Sequence, residues 1–493
     1  MIPKKSLNEE QTKKLIDDLN VTPFVSENFA LSKPTPFRIF LESKNNYFVP
    51  KFYGVKHFGY NEILSLTKGE EIDVHFKGEP RPKQVIVINK FMDACKETSN
   101  YFDTNKGGII SVGCGFGKTI LALYCITKLK RKTLVIVHKT FLMNQWRDRI
   151  LEFIPDASIG YIQGSNIDVE GKDIVIGMLQ SISQKDYDLS IFKGFGFTII
   201  DECHHIGAET FSKSLFKINS YYMLGLSATP KRKDGLSKVF HWFLGPTLFD
   251  NKKREGLLPI HVNIAMYNCS DQKYSKMEVT GFGKICMARM VNNICDYERR
   301  TELVLEILKK LYNNGKKVLI LSDRRAHLKE IFEKVESRNI ATIGYYVGGM
   351  KEKDLKKSEG KEILLGTYTM SSEGMDIPDL DAVIFASPRS DIIQSIGRIL
   401  RKKHESNPIC WDIVDNFSVF PNQYTKRRAY YRKMDYPINI YDFNDDQNEP
   451  IIYLTDQLNN TPKLDIKGEK KKKKSESQEN IIVNDYGFIE EEE

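Results

Sequence analysis

No two of the eight cysteines form a C-x-x-C pair, and no metal-ligand spacing of Cys or His appears anywhere in the 493 residues. Zinc-ribbon and thiol-redox chemistry are thereby excluded. Cys114 and Cys203 fall inside motifs where a disulfide would interfere, so a reducing compartment is expected. No apolar run approaches membrane-spanning length. Met1-Ile2-Pro3-Lys4-Lys5 leads into a polar stretch with no apolar signal-peptide core. The expected location is the cytoplasm, the nucleus or a virion, without secretion and without a membrane partner. Charge is equally unremarked: 73 Lys+Arg against 65 Asp+Glu leave +8, too small an excess to assign a polyanionic partner by itself. With 41% hydrophobic and 28% charged residues, wholesale disorder is excluded.

What the chain does contain is alternation. Residues 1–78 read as a small α+β module. A helix-like stretch runs from Asn8 to Leu19, and the aromatic runs Phe37–Leu41 and Tyr47–Pro50 flank the turn signal Ser43-Lys44-Asn45-Asn46, which predicts a hairpin. Residues 79–255 then alternate strand and helix patterns, with apolar runs at 109–111, 133–137, 173–177, 197–200 and 223–227. A second series, at 318–321, 342–346, 363–366, 382–385 and 410–414, occupies residues 256–440. Helical patterns at Glu302–Tyr312 and Ala326–Val335 lie between its strands. Strands alternating with helices predict parallel sheets covered on both faces, so two tandem α/β lobes are expected. Residues 441–493 turn polar and carry the lysine run 470–474 and the acidic end 490–493. Such like-charge blocks repel, and a disordered charged tail is expected.

Chemistry enters at the end of the first strand of the first lobe. Gly113-Cys114-Gly115-Phe116-Gly117-Lys118-Thr119 is a glycine loop followed by lysine and hydroxyl. Glycines let backbone N–H groups curl around phosphate oxygens. Lys118 suits the β/γ-phosphates of a nucleotide and Thr119 suits Mg²⁺. The strict pattern begins with glycine at 112, where this chain has Val112. Downstream, Phe197-Thr198-Ile199-Ile200 sets Asp201 and Glu202 at the carboxyl end of a buried strand. Asp201 suits the metal and Glu202 the general base for an attacking water. Tyr222–Ser227 is a further strand, and its exit residues Ser227 and Thr229 could hydrogen-bond His204 or the acids across neighbouring strand ends.

The phosphate loop, Asp-Glu-Cys-His (201–204) and Ser-Ala-Thr-Pro (227–230), in this order, resemble the first lobe of a superfamily 2 helicase of DExH type. Gln394-Ser395-Ile396-Gly397-Arg398-Ile399-Leu400-Arg401 resembles the family's Gln-x-x-Gly-Arg-x-x-Arg, and helical spacing sets Gln394, Arg398 and Arg401 on one face. The resemblance implies two RecA-like lobes, ATP and Mg²⁺ as cofactors, Arg401 as an arginine finger and Arg398 facing the γ-phosphate. It also implies that Arg81 and Gln84 read adenine. His138, Lys139, Gln180 and Ser181 in the first lobe, with Ser322, Arg324, Gly366 and Thr367 in the second, would grip nucleic-acid phosphates. Gly374 and Asp376 would link that grip to ATP chemistry. The loop 114–119, Ala-Thr-Pro-Lys-Arg-Lys-Asp-Gly (228–235) and Ile413–Ser418 lean toward the XPB-like group, in the style of poxvirus transcript-release and other large-DNA-virus helicases.

The expectation is therefore an ATP-dependent helicase or translocase, a monomer acting on nucleic acid, with DNA favoured over RNA. Transcription or repair machinery would be its partner. An RNA helicase is the runner-up. A non-catalytic scaffold would have shed Lys118, Asp201, Glu202 or Arg401, and all four are present.

Overall fold

The computed structural model describes residues 1–24, 34–59, 68–96, 106–113, 115–203, 208–218, 220–228, 234–251, 258–281, 283–373, 375, 377–400, 405–446 and 448–465. The N-terminal segment holds five short strands: β1 (Ile2–Pro3), β2 (Asn20–Val21), β3 (Phe37–Arg38), β4 (Leu41–Glu42) and β5 (Asn46–Phe48). Its first helix, Glu9–Leu19, starts where Asn8 and Gln11 cap each other reciprocally: Gln11 N donates to Asn8 Oδ1 at 2.7 Å and Asn8 N to Gln11 Oε1 at 3.1 Å. The expected hairpin forms as β4–β5, with Leu41 opposite Phe48 and Glu42 opposite Tyr47. The run 37–41 is not one strand, however. Phe37–Arg38 pairs with β2 instead, and Ile39 and Phe40 turn into the core.

This segment is less separate than its sequence suggests. Leu15, Leu19 and Tyr53 share one hydrophobic core with Val239, Phe240 and Leu244 of the first lobe. The rings of Tyr53 and Trp242 meet edge-on at 5.4 Å. Residues 68–78, expected to be part of the module, belong to the first lobe. Ile72 and Val74 sit in that lobe's other core, Lys132 Nζ donates to Glu70 at 2.8 Å, and Gly69 passes so close to Gly196 that a Cβ would lie 2.1 Å from its nitrogen.

The first lobe is an eight-stranded sheet of β6 (Gly107–Val112), β7 (Thr133–Val137), β8 (Ile159–Gln163), β9 (Asn166–Asp168), β10 (Ile174–Met178), β11 (Phe197–Ile200), β12 (Tyr222–Ser227) and β13 (Thr247–Asn251). Its order is β13-β6-β12-β11-β7-β10-β8-β9, parallel throughout except for the β8–β9 edge hairpin. The runs of β6, β7, β10, β11 and β12 are buried at every position, as strands covered on both faces must be. The order puts the ends of β6, β12 and β11 side by side, which gathers the phosphate loop, Ser227 and Asp201 at one sheet edge.

The second lobe repeats the plan with β14 (His261–Cys269), β15 (Val318–Leu321), β16 (Ile343–Tyr346), β17 (Ile363–Gly366), β18 (Ala382–Phe385), β19 (Ile409–Asp415), β20 (Ile438–Asp445) and β21 (Lys463–Leu464), ordered β16-β17-β15-β18-β19-β14-β20-β21. The chain from residue 441 to Leu464 is not the tail expected. Most of β20, the helix Ile452–Leu458 and β21 lie within it and complete the sheet. β20 alternates apolar with Asn and Asp because β21, only two residues long, leaves most of its outer side near the sheet edge. The charged runs at 470–474 and 490–493 lie outside the described residues. Among the described residues no helix is long and apolar enough to cross a membrane.

Candidate nucleotide site and nucleic-acid face

β6 delivers the chain into the phosphate loop, and the helix Lys118–Leu129 leaves it. Gly115 and Gly117 hold φ +75° and +91°, values that L side chains rarely adopt. A Cβ on Gly117 would also come within 2.4 Å of Gln84 Nε2. That proximity shows how closely Arg81 and Gln84 press on the loop. Arg81 Nη2 and Gln84 Nε2 donate to the carbonyl of Phe116 at 2.9 and 3.0 Å. Arg81 N donates to Gln84 Oε1 at 2.8 Å, so the pair is a preassembled unit beside the loop. Thr119 follows Lys118 in the first turn of the outgoing helix.

Lys118 Nζ forms an ion pair with Glu202 Oε1. Glu202 itself has φ +45°, a left-handed conformation unusual for a glutamate. Its N–H donates to Asp201 Oδ1 at 3.0 Å. Asp201 Oδ2 accepts the indole N–H of Trp146 at 2.8 Å. Asp201 is buried, and burial pushes its carboxyl up from 3.8 to about 6; the neighbouring Glu202 charge adds to this, while Lys118 and the indole oppose it. Trp146 follows Lys139, an expected nucleic-acid contact, by seven positions (146 minus 139). It is buried at 1% exposure under the acid it serves. That role carries no sequence signal, since it depends on the helix Thr140–Phe153 packing over β7 and β10 so that Trp146 reaches the residue after β11. Ser227 ends β12 fully buried, in register with Ser111 of β6. Cys114, His204 and Thr229 lie outside the described residues.

The second lobe faces this edge. Ile393, Gly397 and Leu400 close a cavity of about 290 Å³ whose first-lobe lining includes Gly113 and Ala228. The segment carrying Gln394 and Arg398 is not the continuous helix expected. One α-turn, Ile393–Ile396, tightens into the 3₁₀ turn Gly397–Leu400, so the α-helical spacing that would align Gln394 with Arg398 does not persist. Arg398 is buried and donates from Nη1 to the carbonyl of Met375 at 2.6 Å. Arg401, Gly374 and Asp376 lie outside the described residues.

The expected nucleic-acid contacts divide into two groups. In the first lobe His138 and Lys139 follow β7, and Gln180 and Ser181 follow its neighbour β10. Gln180 Nε2 donates to His138 O at 2.9 Å, and Ser181 Oγ accepts Gly164 N at 2.9 Å, which fixes the tip of the β8–β9 hairpin beside them. In the second lobe Thr367 starts the helix Tyr368–Glu373, Ser371 N donating to its carbonyl at 3.0 Å. Gly366, at the end of β17, accepts Ser322 N at 3.1 Å. The side chain of Ser322 departs from expectation. It is fully buried, 3.1 Å from His327 Nδ1, and it accepts Arg324 N at 3.2 Å, so it braces the turn ahead of the helix Arg325–Ser337 and does not face solvent. Arg324 reaches to the helix Met287–Cys295, donating to Ala288 O at 2.9 Å and to Asn292 Oδ1.

The chain matches two known families in sequence. The family described as Type III restriction enzyme, res subunit, matches residues 77–232, and the helicase conserved C-terminal domain matches residues 300–403. A protein of Acanthamoeba polyphaga mimivirus named for ATP-dependent RNA helicase activity is 36% identical over 451 residues, covering 90% of this chain and 85% of the relative. A helicase-named protein of Invertebrate iridescent virus 6 is 28% identical over 403 residues, covering 78% of this chain and 87% of the relative. One from Escherichia phage T5 is 31% identical over 337 residues, covering 66% of this chain and 71% of the relative. With the phosphate loop and acids on one lobe and the Gln-x-x-Gly-Arg segment across the cleft, these matches identify the chain as an ATP-dependent superfamily 2 helicase resembling those of large DNA viruses.

Proposed function

We propose that this helicase tracks along DNA, hydrolysing ATP between its two lobes. The carrying observation is the split site, with Lys118, Asp201 and Glu202 on one side of the cleft and the Gln394–Arg398 segment on the other. Lys118 would exchange Glu202 for the β/γ-phosphates of ATP. Glu202, released from that pair, would accept a proton from the attacking water. Arg81 and Gln84 would turn from the Phe116 carbonyl to the adenine edge. Arg398 and Arg401 would stabilise charge developing on the γ-phosphate, which requires the lobes to close.

Among the described residues no group of three or more His, Cys, Asp or Glu side chains is arranged to hold a metal ion by itself. The Thr119 hydroxyl and the Asp201 carboxylate are the hard oxygen donors that suit Mg²⁺, which is typically shared between one or two carboxylates, waters and substrate phosphates. When bound there it would neutralise phosphate charge. Lobe closure around each ATP would shift one grip, His138–Lys139 and Gln180–Ser181, relative to the other at Gly366–Thr367.

The restriction-enzyme description of the first-lobe family supports DNA as the track. The name of the mimivirus relative supports RNA. Steady-state ATP turnover with duplex DNA, single-stranded DNA and single-stranded RNA separates them: stimulation by DNA is expected, and stimulation by RNA alone overturns the DNA reading. Lys118→Ala is expected to abolish stimulated turnover, and undiminished turnover would remove the split site from consideration. Transcription, replication or repair of a viral genome is the process this engine would serve.

A further inference from the structure

Two buried hydroxyls join the nucleic-acid side of the second lobe to its nucleotide side. Ser371 Oγ and Ser395 Oγ lie 2.9 Å apart, both inside the lobe. Ser371 sits one turn beyond Thr367, in the helix Tyr368–Glu373, and its amide donates to the Thr367 carbonyl. Ser395 sits between Gln394 and Arg398 in the segment that faces the phosphate loop. The proton order follows from a third atom. Ser371 Oγ donates to the carbonyl of Tyr368 at 3.1 Å, so Ser395 gives its proton to Ser371. A second tie runs parallel, from Arg398 Nη1 to Met375 O. Around them stand Tyr368, Met375, Ile396 and Ile399, all buried. Apolar packing alone fixes distance but tolerates sliding; a hydrogen bond in such surroundings is directional and strengthened by the low local dielectric.

We propose that the Ser371–Ser395 hydroxyl pair is the positioning link by which a strand held at Gly366–Thr367 sets the placement of the Gln394–Arg398 segment. This deepens the ATP-driven helicase reading and rests on it. The pair touches neither nucleotide nor nucleic acid. It conveys a displacement of the helix at Thr367 into a displacement at Arg398, one turn past Ser395. The two serines are not equivalent. Ser395→Ala leaves Ser371 bonded to Tyr368 O, whereas Ser371→Ala takes away the acceptor toward which the buried Ser395 hydroxyl points, and so is the more damaging change.

The test is a double-mutant cycle of S371A and S395A in the full chain. ATP turnover is measured alone and with saturating poly(dT) or poly(rU), together with the half-stimulating polymer concentration and Tm. Each single variant is expected to keep basal turnover and half-stimulating concentration within about two-fold of wild type. S395A is expected to lower maximal stimulation roughly five-fold, or about 1 kcal/mol at 1.36 kcal/mol per decade, and S371A to lower it further. The double variant should stimulate no less than the weaker single. Unchanged stimulation, losses that multiply in the double variant, or a lowered Tm with an intact stimulated-to-basal ratio would each overturn the link. A wild type that hydrolyses ATP but responds to neither polymer strikes the underlying helicase reading and takes the link with it.

Discussion

Lys118 and Glu202, 84 residues apart in sequence, are ion-paired across the mouth of the phosphate loop. The lysine that would hold phosphate and the glutamate that would activate water are each other's partner. In the proposed roles nucleotide entry would part them, and the pair would hold the base out of use until a phosphate competes for the lysine. Its side chains are 13% and 19% exposed, enough shielding for the competition to register.

Glu202→Gln should therefore act in opposite directions on binding and turnover. Removing the competing charge is expected to tighten nucleotide binding by about 1 kcal/mol, roughly five-fold. Turnover should fall on the order of 100-fold or more for want of a base. Titration with a fluorescent ATP analogue beside steady-state turnover checks both arms; weaker binding by the variant would deny the competition.

Asp201 predicts a pH dependence whose sign is unusual for an aspartate. Its folded value, about 6, lies above the ordinary 3.8, so the folded state binds the extra proton. The associated stability is fully present below about pH 4 and is lost as pH rises toward and through 6. Activity should run the other way, because the metal-binding role proposed for Asp201 would need the carboxylate. Asp201→Asn keeps an acceptor for the Trp146 indole and removes the buried charge. At pH 7 it is expected to raise stability on the order of 1–3 kcal/mol while turnover is lost. Melting curves of both proteins between pH 4 and 8 should converge at the acid end. Parallel curves would refute the assignment.

The second lobe depends on a buried ion pair with no part in the site. Arg300 and Asp415 are both fully buried, Arg300 Nε donating at 2.6 Å, with Tyr274 OH also on Asp415 at 2.6 Å and Arg300 Nη1 on the Ala386 carbonyl. Asp415→Ala strands the guanidinium and should cost about 3–5 kcal/mol. Replacing both partners with apolar residues of like volume should recover most of that. Urea unfolding followed by the fluorescence of Trp411, four residues upstream on β19, reads both.

Five strands of each lobe were legible because a parallel sheet covered on two faces demands apolar runs, and the chemistry of Lys118, Asp201 and Ser227 gathers beyond or at the ends of such runs. β8, β9, β13, β14, β20 and β21 are partly buried or exposed and show no such run. What stayed hidden is tertiary. Ser322 looks like a phosphate contact until His327 is found beside it, and Gln394 to Arg401 reads as a helix until Gly397 tightens it into a 3₁₀ turn. The strand Ile438–Asp445 reads as tail because its Asn and Asp residues are compatible with a sheet margin as well as with solvent. The N-terminal segment gave no hint of its docking, since the aromatic pair that fastens it, Tyr53 and Trp242, is 189 positions apart (242 minus 53).

That fastening has a mechanical consequence. Because Tyr53 lies in the first lobe's core with Trp242 packed against it, the N-terminal segment could not lag in the lobe movement proposed above; it would ride as an outrigger. Anything moored to it would be towed through the same arc at every ATP consumed.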